Sequence, residues 1–463
     1  MPSRNPTPTQ RRRFLAGLGL SLFAVSGCVG RQAPESSDPG TERTPTPHTT
    51  TPEPDPSDTP APEPDGWPVS FDGNVLSVDA AGEALFVVVG GGSESDSKAV
   101  ALAPDGSVRW ETPFEANEHG RGPDEPHEGD GGWGTWVAED TVYLASGMRH
   151  EQWTVRAFAR GDGSVRWSYE AERRLAIRDV TADSLLVTGE EIFVPEHSHD
   201  TPDDPLVSEV SVLDSETGEA TALGSLDGVT AATFHNGDAY AIAGSQVVAL
   251  DGAGGSRWRY GLPGEGTELH PTAEGVLAVA ENDGLTGGEG RVIGVSAGGE
   301  RLWRHDVPTA HDTDVLFADG VLFAGGAAGV AAIRVDGTVA WRDDRAGGWP
   351  VYHDATDRLY TRSGRGAGAA TAYGPDGNRR WTFDPPSNNA WAAGVTDDAV
   401  LATAITGDNA DEPFYTMYAV DPETGEGGAM AELDSIFAVE PVGSRAYVAA
   451  GSDIHAFEPS PGP

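Results

Sequence analysis

The segment Ala101-Leu102-Ala103-Pro104-Asp105-Gly106-Ser107-Val108-Arg109-Trp110 decides the fold, because its pattern recurs along the chain. An apolar strand leads into an Asp-Gly turn, and a second strand follows with a Trp four residues after the glycine. Asp-Gly provides the positive φ that a tight hairpin requires. Five further copies keep this spacing, and their tryptophans are Trp167, Trp258, Trp303, Trp341 and Trp381.

The repeat has the period of a blade. Two degenerate copies, at residues 214–218 and 421–425, keep the turn and lose the Trp. The turns from Gly106 to Gly425 recur at a mean spacing of about 46 residues, typical of four-stranded propeller blades. Short apolar runs within each period, such as residues 84–89 and 184–187, predict central strands buried on both faces. We therefore expect an all-β chain, a β-propeller with almost no helix outside the N-terminal segment.

The repeat resembles that of the PQQ-like (pyrroloquinoline-quinone-type repeat) β-propellers. Their motif Ala/Val-Leu-Asp-x-x-Thr-Gly-x-x-x-Trp is matched at the turn by residues 212–218 and 420–425, while the other copies contain the Trp. The similarity covers residues 67–458. That family includes quinoprotein dehydrogenases and BamB-like lipoproteins. The resemblance implies a structural, blade-docking role for Trp110, Trp167, Trp258, Trp303, Trp341 and Trp381.

The number of blades follows from how the ends of the chain are counted. Residues 437–457 provide three strands without a fourth, and residues 67–71 can supply it by pairing the two ends of the chain. A literal count gives nine blades. Guided by the family, we expect eight, with seven and nine as the alternatives.

The N-terminus has the pattern of an export signal. Arg11, Arg12 and the following Phe-Leu match the twin-arginine motif, and an apolar stretch runs on to Val-Ser-Gly-Cys28. Twelve helical residues reach about 18 Å, which is too short for a hydrocarbon core of roughly 30 Å. Small residues before a single cysteine resemble a lipobox. We expect residues 1–28 to be a twin-arginine (Tat) lipoprotein signal peptide and Cys28 to be lipidated, forming the membrane anchor.

Residues 29–66 differ sharply in composition from the rest of the chain. Ten prolines lie between Pro34 and Pro64 among Thr, Ser, Asp and Glu, without an apolar period. Such a composition favours extended, unfolded chain. We expect a disordered tether that holds a propeller of residues 67–459 at the outer, extracellular face of the cell membrane.

The charge of the chain excludes one class of partner. Asp and Glu number 73 against 30 Lys and Arg, giving a net charge of −43, and Lys98 is the only lysine. Phosphate binding requires clustered cations, so we expect no nucleic-acid partner. Acid excess with almost no lysine resembles the halophilic proteins of salt-loving archaea. The propeller region alone carries 65 acidic and 24 basic residues, so we expect it to require molar salt.

Insertions fall on one face of the predicted propeller. With the strands of a blade named a to d from the inside outwards, the d–a and b–c connections lie on one face, here called the long-loop face. The a–b and c–d turns lie on the other, the short-turn face. The long segments are residues 115–134, 189–206, 282–290, 363–368 and 407–413, all in d–a or b–c connections. Because binding sites concentrate in loops on rigid scaffolds, we expect a ligand or partner site on the long-loop face.

The same loops contain clusters of His and acidic residues. His197, His199 and Asp200 form a candidate for a zinc-type site, with a solvated acidic loop as the alternative. Four tryptophans near the starts of innermost strands could form an aromatic rim for a sugar or peptide, or pack at the channel mouth; they are Trp133, Trp136, Trp349 and Trp391.

Three functions remain open at this level. The first is a non-enzymatic, lipid-anchored propeller that binds a protein partner or extracellular ligand. The second is a PQQ-dependent oxidoreductase, with PQQ and calcium as cofactors. The quinone enzymes of the family cover the cofactor with a disulfide, and this chain has no cysteine besides Cys28. The third is a structural component of the cell surface. No catalytic residue is predicted, and the identity of any cofactor-binding residue stays open.

Overall fold

A computed structural model describes residues 66–90, 97–114, 134–147, 153–190, 207–251, 255–281, 290–307, 314–326, 329–344, 350–353, 356–362, 370–385, 390–405 and 415–460. Every regular element in these ranges is a β-strand. The described residues therefore contain no helix able to cross a membrane.

The strands form nine sheets of four. Blade 1 contains β2 (Asn74–Ala81), β3 (Ala84–Gly90), β4 (Ser97–Leu102) and β5 (Val108–Phe114). Blade 2 contains β6 (Gly134–Val137), β7 (Thr141–Ser146), β8 (Trp153–Ala159) and β9 (Val165–Ala171). Blade 3 contains β10 (Arg174–Val180), β11 (Ser184–Glu190), β12 (Val207–Asp214) and β13 (Ala220–Asp227). Blade 4 contains β14 (Val229–His235), β15 (Asp238–Ala243), β16 (Gln246–Leu250) and β17 (Ser256–Gly261).

The second half of the chain continues the pattern. Blade 5 contains β18 (Glu265–Thr272), β19 (Gly275–Glu281), β20 (Gly290–Ser296) and β21 (Arg301–Val307). Blade 6 contains β22 (Asp314–Ala318), β23 (Val321–Gly326), β24 (Gly329–Arg334) and β25 (Val339–Asp343). Blade 7 contains β26 (Val351–His353), β27 (Arg358–Arg362), β28 (Ala370–Tyr373) and β29 (Arg379–Phe383). Blade 8 contains β30 (Ala390–Val395), β31 (Val400–Ile405), β32 (Tyr415–Val420) and β33 (Gly427–Leu433).

Blade 9 joins the two ends of the chain. It contains β34 (Ala438–Val442), β35 (Arg445–Ala450), β36 (Asp453–Phe457) and, as its outermost strand, β1 (Val69–Ser70). Val69 lies opposite Ile454 and Ser70 opposite Asp453. Pairing of the two ends, expected from the sequence, is confirmed.

The ring has nine blades, so the expectation of eight is wrong by one. The literal count was correct, because each turn belongs to its own blade and the three C-terminal strands form a ninth with β1. The inner strands of blades 1 and 9, β2 and β34, are in contact and close the ring.

The hydrophobic core is divided among the blade interfaces. The described residues form nine clusters of buried side chains, and each cluster spans two neighbouring blades. The second strands are almost wholly buried, as β3 and β7 illustrate. The predicted central strands, buried on both faces, are confirmed. Burial of apolar surface between blades, at roughly 25 cal/mol per Å², is therefore what holds the ring together.

The repeated indoles lie at these interfaces. The indole ring of each of the six repeated tryptophans packs on a c–d turn of the next blade. Five indole Nε1 groups donate to a turn carbonyl: Trp110 to Arg160 (2.9 Å), Trp167 to Ser215 (3.0 Å), Trp258 to Ala297 (2.9 Å), Trp303 to Val335 (2.9 Å) and Trp381 to Pro422 (2.9 Å). Trp341 packs on Gly377 in the same way.

Glycine is required beneath each indole for two reasons. The six turn glycines facing these rings have φ between 71° and 86°, and a Cβ on any of them would lie 2.3 to 2.7 Å from a tryptophan side-chain atom; they are Gly163, Gly218, Gly299, Gly337, Gly377 and Gly425. Within its own blade each indole lies opposite a small residue, for example Ala101 opposite Trp110 and Gly294 opposite Trp303. The motif therefore encodes both sides of the contact.

Candidate functional site

In several blades the outer strand presents a second side chain, besides its Trp, to the next blade. Side chains alternate along a strand, so the residue four positions after the Trp lies on the same face. In three interfaces this residue is large and buried: Phe114 after Trp110, Leu262 after Trp258 and Val307 after Trp303. Ala171 occupies the corresponding position in blade 2, and its methyl group leaves the interface with blade 3 underfilled.

On the opposite wall of that interface, in blade 3, the side chain is also smaller than its counterpart in blade 2. In the interface between blades 1 and 2, the Arg156 guanidinium lies over the Phe114 ring, 5.2 Å from its centroid. Arg156 pairs with Leu144 in the sheet of blade 2, and the equivalent pair in blade 3 is Ser211 with Val187. Serine thus replaces arginine where alanine replaces phenylalanine. Two small residues facing one another create a cleft.

This blade 2–3 cleft has a volume of about 420 Å³. Its apolar wall and floor comprise Tyr169, Ala171, Leu175 and Val187. Its polar lining comprises Glu172, Arg173, Glu209 and Ser211, and Gly189 lines the cleft as well. Cavities of roughly 300–1,000 Å³ that combine apolar walls with a few polar groups are typical of ligand sites.

Charged groups flank the cleft. Arg173 Nε lies 3.6 Å from Glu209 Oε2. Burial, followed by the negative charge of Glu209, raises the pKa of the Tyr169 hydroxyl, so the tyrosine is a neutral hydrogen-bond donor at ordinary pH. The stem of Arg173 passes Gly189 at ordinary van der Waals distance, since a Cβ on Gly189 would lie 3.4 Å from Cβ and Cδ of Arg173.

The cleft opens on the long-loop face. Glu172 and Arg173 form the d–a connection between β9 and β10. Gly189 lies near the end of β11, where the b–c connection to β12 begins. The opposite, short-turn end of the same interface is closed by the Trp167 indole on Gly218.

A second cleft, between blades 1 and 2 on the short-turn face, measures about 500 Å³ and is lined by three arginines. Two of its guanidinium groups are engaged within the protein. Arg160 donates to the carbonyls of Ala81 (2.7 Å) and Glu139 (2.9 Å), and Arg166 pairs with Asp140 (2.9 Å). These contacts indicate a stabilising role for the two arginines.

Apart from the docking tryptophans, most of the residues singled out in the sequence lie outside the described residues. These are Arg11, Arg12 and Cys28, the long segments apart from their flanking strand residues, His197, His199 and Asp200, and Trp133 and Trp349. Trp136 lies in β6, partly buried against the core shared by blades 2 and 3. The backbone of Trp391 pairs with Thr403 in blade 8. The metal site and the export signal stay predictions.

A site for calcium-bound PQQ would need a group of oxygen ligands for the calcium ion. Calcium binds several oxygen ligands, mostly carboxylates and carbonyls. No group of three or more His, Cys, Asp or Glu side chains able to hold a metal ion occurs in the described part of the chain. The described residues thus provide no carboxylate cluster for such a group.

Sequence reasoning missed two features. Trp67 is a seventh docking tryptophan, whose Nε1 donates to Pro104 O. The spacing rule overlooked it because β1 and β36 come from opposite ends of the chain, so no turn glycine lies four residues before this Trp. The cleft was missed as well, although a comparison of Ala171 with Phe114, Leu262 and Val307 contains the signal.

The family model described as "Outer membrane protein assembly factor BamB" (PQQ_2) matches residues 61–244 and 243–353, more than half of the chain. No curated protein matches.

Solved structures match this chain at low sequence identity. A eukaryotic initiation factor matches with a TM-score of 0.50 and 11% identity, covering 80% of this chain and 93% of the other. BamB from Moraxella catarrhalis matches with a TM-score of 0.44 and 14% identity, covering 70% and 96%. The quinohemoprotein alcohol dehydrogenase ADHIIG from Pseudomonas putida HK5 matches with a TM-score of 0.44 and 12% identity. The match covers 86% of this chain and 76% of the dehydrogenase. At such identities the likeness concerns the fold alone.

Proposed function

This chain belongs to the PQQ_2 family, described as outer membrane protein assembly factor BamB, and we propose that it is a non-enzymatic binding protein. In this proposal the propeller is exported by the twin-arginine route, anchored by lipid on Cys28 at the outer face of the membrane, and adapted to molar salt. It binds a protein partner through the long-loop face.

The observation that carries the proposal is the difference between the two faces. Described connections on the short-turn face are tight and bonded internally, as where Gly163 N donates to Ala159 O (2.8 Å) and Gly218 N to Asp214 O (2.9 Å). On the other face, β5 ends at Phe114 and β6 begins only at Gly134, while β11 ends at Glu190 and β12 begins at Val207. The blade 2–3 cleft opens beside the second of these connections. A rigid ring with long loops on one side is a common design for binding.

The test is capture of a partner from membranes in molar salt. One variant replaces residues 191–206 with a short Gly-Ser linker, and the matched control carries an insertion between Asp319 and Gly320 on the short-turn face. We expect the first to lose a specific partner and the second to retain it. Equal capture by both variants contradicts a site on the long-loop face.

Anchoring is tested separately. We expect Cys28→Ser to move the protein from the membrane to the medium, and replacement of Arg11 and Arg12 by lysine to block export. A Cys28→Ser protein that stays on the membrane would exclude the lipid as its anchor.

A further inference from the structure

We propose that the blade 2–3 cleft binds a phenylalanine- or leucine-sized side chain, next to a basic residue, on a peptide segment of the partner protein. This deepens the proposed function and rests on it. The cleft is the place where the partner would complete an interface that the propeller fills by itself elsewhere.

The repeat identifies the occupant. Phe114 fills the position equivalent to Ala171 in the interface between blades 1 and 2, where it joins the buried cluster that includes Trp110 and Leu144. Leu262 fills it between blades 4 and 5. The complementary group for the open cleft is therefore the side chain that the other blades supply themselves.

The cleft is preformed. Leu175 and Val187 on its floor are 3% and 1% exposed and belong to the core shared by blades 2 and 3. The Trp167 indole fixes the spacing of the two blades at the other end of the interface. A rigid site loses little conformational entropy on binding, so an inserted side chain retains most of the free energy of its burial.

The charge of the cleft determines which residue is favoured next to the inserted side chain in the partner peptide. Glu172, Glu209 and Arg173 line the cleft, so its lining residues carry one excess negative charge. A lysine or arginine beside the inserted residue complements it, and an acidic residue is repelled. In molar salt this contribution is short-ranged, because the screening length falls to about 3 Å. Burial of the apolar group supplies the affinity, and charge adjusts it.

The probes are three blocked dipeptides: acetyl-Arg-Phe-amide, acetyl-Arg-Ala-amide and acetyl-Glu-Phe-amide. Their binding to the full chain is measured by titration calorimetry in molar KCl. We expect the Arg-Phe peptide to bind about tenfold or more tightly than the Arg-Ala peptide, as burial of an aromatic side chain implies. The Glu-Phe peptide should bind more weakly than Arg-Phe.

Two variants close the cleft from opposite walls. Ala171→Phe inserts the ring found at position 114, and Ser211→Arg restores the residue found at position 156. Ala220→Phe adds the same ring on the exposed start of β13 and is the matched control. We expect both cleft variants to melt cooperatively and to lose the preference for Arg-Phe, while the control retains it.

Some results would overturn the proposal. They are equal affinity for Arg-Phe and Arg-Ala peptides in the parent protein, no binding of Arg-Phe at millimolar concentration, and unchanged preference in a folded Ala171→Phe protein. Partner capture distinguishes binding in the blade 2–3 cleft from binding elsewhere on the long-loop face. If Ala171→Phe captures the partner fully while the 191–206 replacement does not, the cleft is excluded and the long-loop face is retained.

Discussion

The indole Nε1 of Trp67 lies 3.3 Å from the carbonyl oxygen of Pro104, and this hydrogen bond joins the last blade of the ring to the first. Arg445 Nη1 donates to the same carbonyl at 2.7 Å. The Trp67 ring also packs on Tyr447, with 5.3 Å between the ring centroids. Because β1 contributes only two residues of sheet, these side chains carry much of the ring closure.

We expect Trp67→Ala to lower the free energy of unfolding by roughly 3–5 kcal/mol, the range for large-to-small changes of buried aromatics. Chemical denaturation in molar salt measures the loss. Val108→Ala, at a side chain 51% exposed near the same turn, is the control and should change stability by no more than about 0.5 kcal/mol. Equal effects would show that the indole does not secure the closure.

The turn glycines permit a comparison of backbone strain with steric conflict. Gly163 has φ +71° and a Cβ there would lie 2.5 Å from the Trp110 ring, whereas Gly237 has φ +83° with no heavy atom within 4 Å of its Cβ position. Gly237→Ala should cost about 1–2 kcal/mol from the left-handed backbone alone. Gly163→Ala should cost about 1–3 kcal/mol more from overpacking. Similar losses in thermal melts would contradict the proposed indole contact.

Six aspartates in the c–d turns predict sensitivity to acid. Hydrogen bonds from the turn lower the pKa of each of these carboxyl groups below its ordinary value of 3.8. The six residues are Asp105, Asp162, Asp214, Asp336, Asp376 and Asp421. In Asp214 the Thr217 hydroxyl makes the largest contribution. A lowered folded-state pKa stabilises the protein above about pH 4, and the stabilisation is lost as pH falls through that pKa.

Melting temperatures in molar salt between pH 6 and pH 2 test this prediction. We expect Asp214→Asn to show a shallower loss of melting temperature than the parent protein. Glu216→Gln, which removes a charge from the same turn and leaves the backbone hydrogen bond from residue 216 to Asp214 in place, is the control for the loss of charge alone. An unchanged slope for Asp214→Asn would contradict the assignment.

A buried tyrosine predicts the opposite behaviour in alkali. Burial, followed by the nearby negative charge of Asp343, raises the pKa of Tyr373 to about 12. The Tyr373 hydroxyl donates to Asp343 Oδ2 at 3.2 Å, and Arg379 Nε donates to the same oxygen at 2.8 Å. The unfolded chain releases this proton first, so stability should fall as pH rises from about 10 to about 12. Tyr373→Phe should flatten that part of the curve, as measured by denaturant midpoints.

The acidic surface predicts a requirement for salt. With a net charge of −43, self-repulsion extends over about 10 Å at 0.1 M salt and only about 3 Å at 1 M. We expect the melting temperature to fall continuously as KCl is lowered from molar to millimolar concentration. A constant melting temperature would contradict the halophilic interpretation.

The sequence predicts the fold well because the repeat is local. Strand, turn and Trp lie within ten residues, so the Asp-Gly turn and the alternation of side chains are determined without knowledge of distant contacts. The expectation of eight blades failed because the usual blade number of a family does not determine the number of repeats in one chain. The literal count of nine, which includes the blade formed by residues 69–70 and 438–457, is correct.

Contacts between blades depend on more than local sequence. Ala171 and Ser211 are ordinary residues that belong to different blades, forty residues apart. They form a cleft only because the ring places the outer strand of blade 2 against the third strand of blade 3. Trp67 and Pro104 meet for the same reason.

The sequence by itself thus determined the strands, their turns and the acidic surface, which depend on neighbours along the chain. The tertiary structure decided which interface is left unfilled and which side chains meet where the ring closes, such as Trp67 with Pro104. Packing between blades depends on pairs of side chains whose separation in sequence carries no information about their distance in space.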